Sequence, residues 1–144
     1  MTRKDSRRFI DKHPQGTQVS PELRQAVLDH ITDHHITCEA AHRIAMELKN
    51  FPRQIGVAID LQEARIRGCQ LGLFGHGPMH KKILPAEQVA PQLKAAIEDS
   101  LVDGRLSCAQ AWRIADAAGL PRMTVAEACE KLKIKINKCQ LGAF

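Results

Sequence analysis

No stretch of this sequence approaches the roughly 20 consecutive apolar residues that a membrane-spanning helix needs. The N-terminus, Met1-Thr2-Arg3-Lys4-Asp5-Ser6-Arg7-Arg8, is basic but has no apolar segment behind it, which argues against a secretory signal. There is no C-x-x-C pair among the five cysteines, so their spacing carries no zinc signature. G-x-S-x-G, a phosphate-cradling glycine loop and a repeated His–Asp or paired-carboxylate constellation are all missing. These absences point away from membrane-bound, secreted and enzymatic proteins. The expectation is a cytoplasmic chain that is not an enzyme, takes no cofactor and has no membrane partner.

What is present is a sequence written twice. Shifted by seventy positions, Val19, Pro21, Leu23, Ala26, Asp29 and Asp33 fall on Val89, Pro91, Leu93, Ala96, Asp99 and Asp103. Cys38, Ala41, Arg43, Ile44 and Ala45 fall on Cys108, Ala111, Arg113, Ile114 and Ala115. A one-residue slip matches Pro52 and Arg53 to Pro121 and Arg122, and the register then returns. Cys69-Gln70-Leu71-Gly72-Leu73-Phe74 finally meets Cys139-Gln140-Leu141-Gly142-Ala143-Phe144. Two copies of a unit this long indicate a duplicated small domain rather than a solenoid, which needs about three or more shorter repeats. The expected organisation is a basic flexible arm at 1–18, a first unit at 19–75, a connector at 76–88 and a second unit at 89–144. Units of this size sit near the lower limit for folding alone, so they are expected to pack together or the chain to form a homodimer.

The chain carries 21 basic and 16 acidic side chains, a net charge of +5. The excess lies in the arm and at the far end of the second unit, where Lys131, Lys133, Lys135 and Lys138 crowd together. Such a distribution suits contact with a polyanion, and a solvated surface is its plainer explanation.

Each unit opens with a helix. Ser20, Pro21 and Glu22 supply an N-cap, a first-turn proline and an acid near the positive helix end. Leu23, Val27 and Ile31 then recur at helical spacing, as do Leu93, Ile97 and Leu101. The first helix is expected to stop at Asp33-His34 and Asp103-Gly104. Ser107 and Gln110 form a capping box for a second helix that ends at Gly119. Thr124 and Glu127 form another, which predicts the start of a third helix through Val125, Ala128, Cys129 and Leu132. The period then changes to two, with Ile134 and Ile136 alternating with Lys133, Lys135 and Asn137, a short strand or tiny hairpin.

Three helices and a trailing strand, with a small residue at Ala115, a glycine at Gly119 and an apolar residue at Val125, resemble the helix-turn-helix superfamily, in its winged form. The resemblance covers about 25 residues of each unit. The first unit is the degenerate copy: Ala45 is kept, but Lys49 holds the glycine position and Asn50 is expected to lengthen the turn. The fold class expected is therefore mainly α, with tandem duplicated three-helix helix-turn-helix units, each ending in a short β strand or hairpin.

The resemblance implies double-stranded DNA as partner and transcriptional regulation as setting, with the third helix in the major groove. Candidate contacts are Arg122, Thr124 and Lys131 in the second unit and Arg53, Gln54 and Gln62 in the first. Lys133 and Lys135 could reach phosphates, and Arg3, Lys4, Arg7 and Arg8 could follow the backbone or enter a minor groove. Glu127 and Glu130 on the same helix oppose this, since acids repel phosphate. A protein-interaction scaffold on the same fold is the first alternative. A thiol-based redox or metal sensor is the second: Cys38, Cys69, Cys108 and Cys139 are repeat-related and could meet in space, although burial as small hydrophobes is the plainer reading. Cys129 has no counterpart and is read as packing. The histidines at 30, 34, 35 and 42 are replaced in the second copy by Ser100, Gly104, Arg105 and Trp112, which argues against an essential metal site.

Overall fold

A computed structural model describes residues 8–79 and 81–144. The described residues are mainly helical, with six α-helices and four short strands, and no helix is long and apolar enough to cross a membrane. They divide into two compact units. The first runs to Arg67 and includes Leu141–Ala143; the second is Gly68–Gln140 with Phe144.

This division departs from the expected 19–75 and 89–144. Cys69 and Leu71 are buried in the core of the second unit, while Leu141 is buried against the first. The arm and the connector are also more than spacers, because each docks on the third helix of a unit.

The first unit comprises α1 (Pro21–His30), β1 (His35–Thr37), α2 (Cys38–Glu47), α3 (Pro52–Leu61) and β2 (Arg65–Arg67). Ser20 Oγ accepts a hydrogen bond from Leu23 N at 3.2 Å, so α1 begins where its cap places it. It ends at His30, before the expected Asp33 and His34. Those two residues have φ of 52° and 63° and make a tight turn between Thr32 and His35, whose backbones exchange hydrogen bonds of 2.8 and 2.9 Å. Two successive positive φ values are the type I′ pattern of a two-residue hairpin. Thr37 Oγ1 then caps α2 through Ala40 N at 3.0 Å. Leu23, Val27, Ile36, Ile44, Ile55 and Ile59 are buried, the apolar faces of the elements they stand on.

The second unit comprises α4 (Pro91–Asp99), β3 (Leu106–Ser107), α5 (Cys108–Ala118), α6 (Arg122–Leu132) and β4 (Ile136–Asn137). Ser107 Oγ accepts from Gln110 N at 3.2 Å at the start of α5, and Gly119 ends it in the left-handed region at φ 67°. The third helix begins at Arg122, not Thr124, because Pro121 supplies the extended residue before the first turn and Thr124 N already donates to Pro121 O. Leu71, Ile97, Leu106, Val125 and Cys129 lie in one buried cluster.

The strand after each third helix does not fold back as a hairpin. β2 pairs in parallel with β1, Ile66 opposite Ile36, and β4 pairs in parallel with β3, Ile136 opposite Leu106. Ile36 and Leu106 are fully buried, and a two- or three-residue strand is too short to announce itself by periodicity.

The helix-to-helix turns also differ from expectation. Asn50 N donates to Ala45 O at 2.9 Å and Leu120 N donates to Ala115 O at 2.9 Å, so Asn50 adds nothing to the turn's length and no slip occurs. Lys49 takes the left-handed conformation, φ 54°, that Gly119 takes seventy residues later. The same spacing relates Asp33 to Asp103, His34 to Gly104, Glu63 to Lys133, Gly68 to Lys138 and Gly72 to Gly142, all at positive φ.

Candidate nucleic-acid interface

The lysines at the end of the second unit alternate with apolar residues. Leu132, Ile134 and Ile136 pack against the buried cluster, and Lys131, Lys133 and Lys135 stand exposed between them. Lys133 ends α6 in the left-handed region and redirects the chain into β4, and Lys138, also left-handed, follows the strand. All four are exposed, and none has an acidic partner among the described residues.

Arg122 lies at the other end of α6 and is committed elsewhere. Its guanidinium stacks 3.6 Å from the centre of the Trp112 ring, pairs with Asp116 at 3.3 Å and donates to Gln70 Oε1. Thr124 is half-buried beside it. Between the two ends, Val125, Ala126, Ala128 and Cys129 are buried, and the connector runs along the remaining face. Lys81 pairs with Glu130, Ala86 N donates to Glu127 O at 3.0 Å, Lys82 N donates to Gly72 O at 2.8 Å, and Ile83 is buried. Glu130, an acid that would oppose phosphate, is thereby balanced by Lys81. The lysine row and Arg122 are thus not one cluster, and α6 carries the connector along its length.

In the first unit Arg53 and Gln54 are exposed on the first turn of α3. The Arg53 guanidinium lies over Gly142, where a Cβ would stand 2.8 Å from Nη1. The end of the arm is docked. Glu63 accepts hydrogen bonds from Phe9 N at 2.8 Å and Ile10 N at 3.1 Å, and Arg8 pairs with Asp11 at 3.5 Å. Arg3, Lys4 and Arg7 lie outside the described residues.

The docking exposes a cluster that the sequence did not suggest. Asp60 is buried on α3 and accepts from His13 Nε2 at 2.8 Å and from Lys12 Nζ at 3.1 Å; Lys12 also donates to Gly142 O at 3.1 Å. The available signal was an acid standing between Ile59 and Leu61 on an apolar helix, since a buried carboxylate needs partners.

The five cysteines are free thiols, with Cys38, Cys69, Cys108 and Cys129 buried and Cys139 half-buried. In the second unit Cys69 and Cys139 are electrostatic neighbours of Cys108. Burial pushes the Cys108 thiol up, partly offset by the Gln140 backbone and by the Gln140 side chain, whose Nε2 lies 3.6 Å from Sγ. Burial raises Cys129 further, to about 11, with Glu130 adding to it. No group of three or more His, Cys, Asp or Glu side chains that could hold a metal ion occurs among the described residues. His30 Nδ1 donates to Ala26 O, His35 Nδ1 to Asp33 O and His76 Nε2 to Cys69 O, each a local backbone bond.

Compared with family models, with curated proteins and with solved structures, the chain matches none.

Proposed function

We propose that the protein binds double-stranded DNA through the lysine row of its second unit, Lys131, Lys133, Lys135 and Lys138. The observation that carries this reading is that the four cations stand exposed, close together in sequence and without acidic partners among the described residues. A cation row of this kind neutralises phosphates, which fixes a protein on a duplex without specifying sequence. Arg122 is held on Trp112 and Asp116, so it is a structural residue here rather than a major-groove contact. Sequence dependence would come from Gln54, exposed on α3, and regulation of transcription is the setting.

The reading includes a tandem duplication of helix-turn-helix-derived units. It is supported by the positive-φ residues that recur seventy positions apart and by the equal turns at Lys49 and Gly119. It is also supported by two parallel strand pairs of the same placement.

The test is fluorescence anisotropy on a labelled random duplex, with salt varied between about 50 and about 200 mM. The chain is expected to bind, with an affinity that falls steeply as salt rises. Replacing Lys131, Lys133 and Lys135 together by Ala should weaken binding and lower the salt slope by roughly 0.9 for each phosphate that is no longer neutralised. Absence of binding at low salt would overturn the proposal.

A second reading, a protein-interaction scaffold, is favoured by a groove between α4 and α5 of about 450 Å³. Leu93, Ala96, Ile114, Ala118 and Leu120 line it, with Arg113 among them.

A further inference from the structure

The last turn of α2 and the residue before α3 leave two large apolar side chains in water. Met46 and Phe51 are each 80% exposed, the most exposed large hydrophobic residues among the described residues. Lys49 and Arg53 flank Phe51, both exposed and neither paired with an acid among the described residues. Glu47 is the acid on the same turn. Seventy residues later the corresponding positions hold Asp116 and Pro121, and Asp116 is engaged by Arg122. The same turn is therefore closed by an ion pair in one unit and left apolar and cationic in the other.

We infer that Phe51, with Met46 exposed at the end of α2 as a second apolar side chain, is a wedge that inserts at a base step of duplex DNA while Lys49 and Arg53 meet the flanking phosphates. The inference rests on the DNA-binding reading and names a second contact for it, on the first unit. The argument is one of chemistry. An exposed aromatic ring offers a stacking surface to any base, and Phe and Met are among the side chains that proteins insert between base steps. Unpaired cations on both sides suit a polyanion better than an apolar protein surface, which would leave their charges desolvated. Lys49 also adopts a left-handed backbone at φ 54°, which makes the turn tight and sets Phe51 at its outer edge as the residue before α3.

The experiment uses the full chain and a duplex carrying 2-aminopurine at several positions of one strand, because that base brightens when it is unstacked. The wild-type chain is expected to raise its emission on binding. Phe51→Ala is expected to remove the rise and to weaken binding about tenfold, the scale of one base stack. Phe51→Leu should keep part of both effects. Because Phe51 is exposed, Phe51→Ala should unfold at the wild-type temperature, which separates loss of stacking from loss of folding.

Two results would overturn the inference while leaving DNA binding intact. One is wild-type binding that depends on Lys131, Lys133 and Lys135 with silent 2-aminopurine and unchanged affinity in Phe51→Ala. The other is unchanged DNA affinity in Phe51→Ala together with loss of self-association in sedimentation, which would make the turn a protein contact. Absence of wild-type binding would overturn both readings.

Discussion

The backbone of α3 at Gly56 lies against the carbonyl of Leu141. A Cβ built on Gly56 would stand 1.7 Å from Leu141 O and 2.7 Å from its carbonyl carbon. Glycine inside a helix ordinarily costs about 1 kcal/mol against alanine. Here the missing side chain is what allows the helix and the Leu141 segment to meet, and Leu141 is fully buried.

Gly56→Ala should therefore destabilise the protein despite the better helix propensity of alanine. Overpacking against backbone costs about 1–3 kcal/mol, and the depth of this overlap places the change at the upper end. Urea unfolding followed by circular dichroism measures it. A variant as stable as the wild type would show that the Leu141 carbonyl is not held at Gly56.

Arg122 and Trp112 provide a spectroscopic handle, since Trp112 is the single tryptophan. Arg122→Ala should shift its emission to longer wavelength as the indole loses the guanidinium that covers it. Stability should fall by about 1–2 kcal/mol from the missing cation–π stack and packing, with little from the exposed Asp116. Arg122→Lys should recover only part of either, because an ammonium does not stack as a planar guanidinium does. An unchanged emission spectrum in Arg122→Ala would refute the stack.

His34 and Gly104 occupy the same place in two tight turns, both at positive φ. A residue with a Cβ pays about 1–2 kcal/mol in the left-handed region and glycine pays none. His34→Gly should raise the melting temperature, and Gly104→His should lower it by a comparable amount. Scanning calorimetry of the two variants decides the matter, and a fall on His34→Gly would contradict it.

The thiols should separate by reactivity. Cys139, half-buried, is expected to react first with a thiol reagent at pH 8, while buried Cys108 and Cys129, both with raised pKa, stay protonated and slow. Cys129 also gives stability a pH dependence. Between the ordinary thiol value of 9.0 and about 11, the folded chain keeps a proton that the unfolded chain has released. Stability should therefore decline as pH rises through that window. Cys129→Ser, which does not titrate there, should flatten the decline. Equal labelling rates for Cys129 and Cys139 would disprove the assignment.

Helices were the legible part of this sequence, because caps and apolar spacing act within a few residues of each other. Ser20 and Ser107 cap helices, and Gly119 ends one. The strands were half legible: Ile134 and Ile136 signalled β4 by alternation, but β3 has two residues and its parallel partner lies beyond α6. The Arg122 prediction had local logic, yet the side chain's partners include Gln70, more than fifty positions away, which no local pattern could specify. The lysine row was visible as charge, and Lys131, Lys133 and Lys135 alternate with apolar residues. Gly56 is a weakness of α3 by helix propensity alone, and its reason, the approach of Leu141, comes from a segment remote in sequence.

Leu141–Ala143 belong to the first unit although the whole span from Gly68 to Gln140 intervenes. During synthesis on the ribosome, α1, α2 and α3 would emerge long before the segment that packs at Gly56. The first unit would wait with a gap along α3 while the second was being made, and closing so long a loop adds an entropic cost before the contact rewards it. Maturation of the first unit is thus tied to translation of the second, and a ribosome stalled before residue 141 would hold a first unit that lacks its last piece.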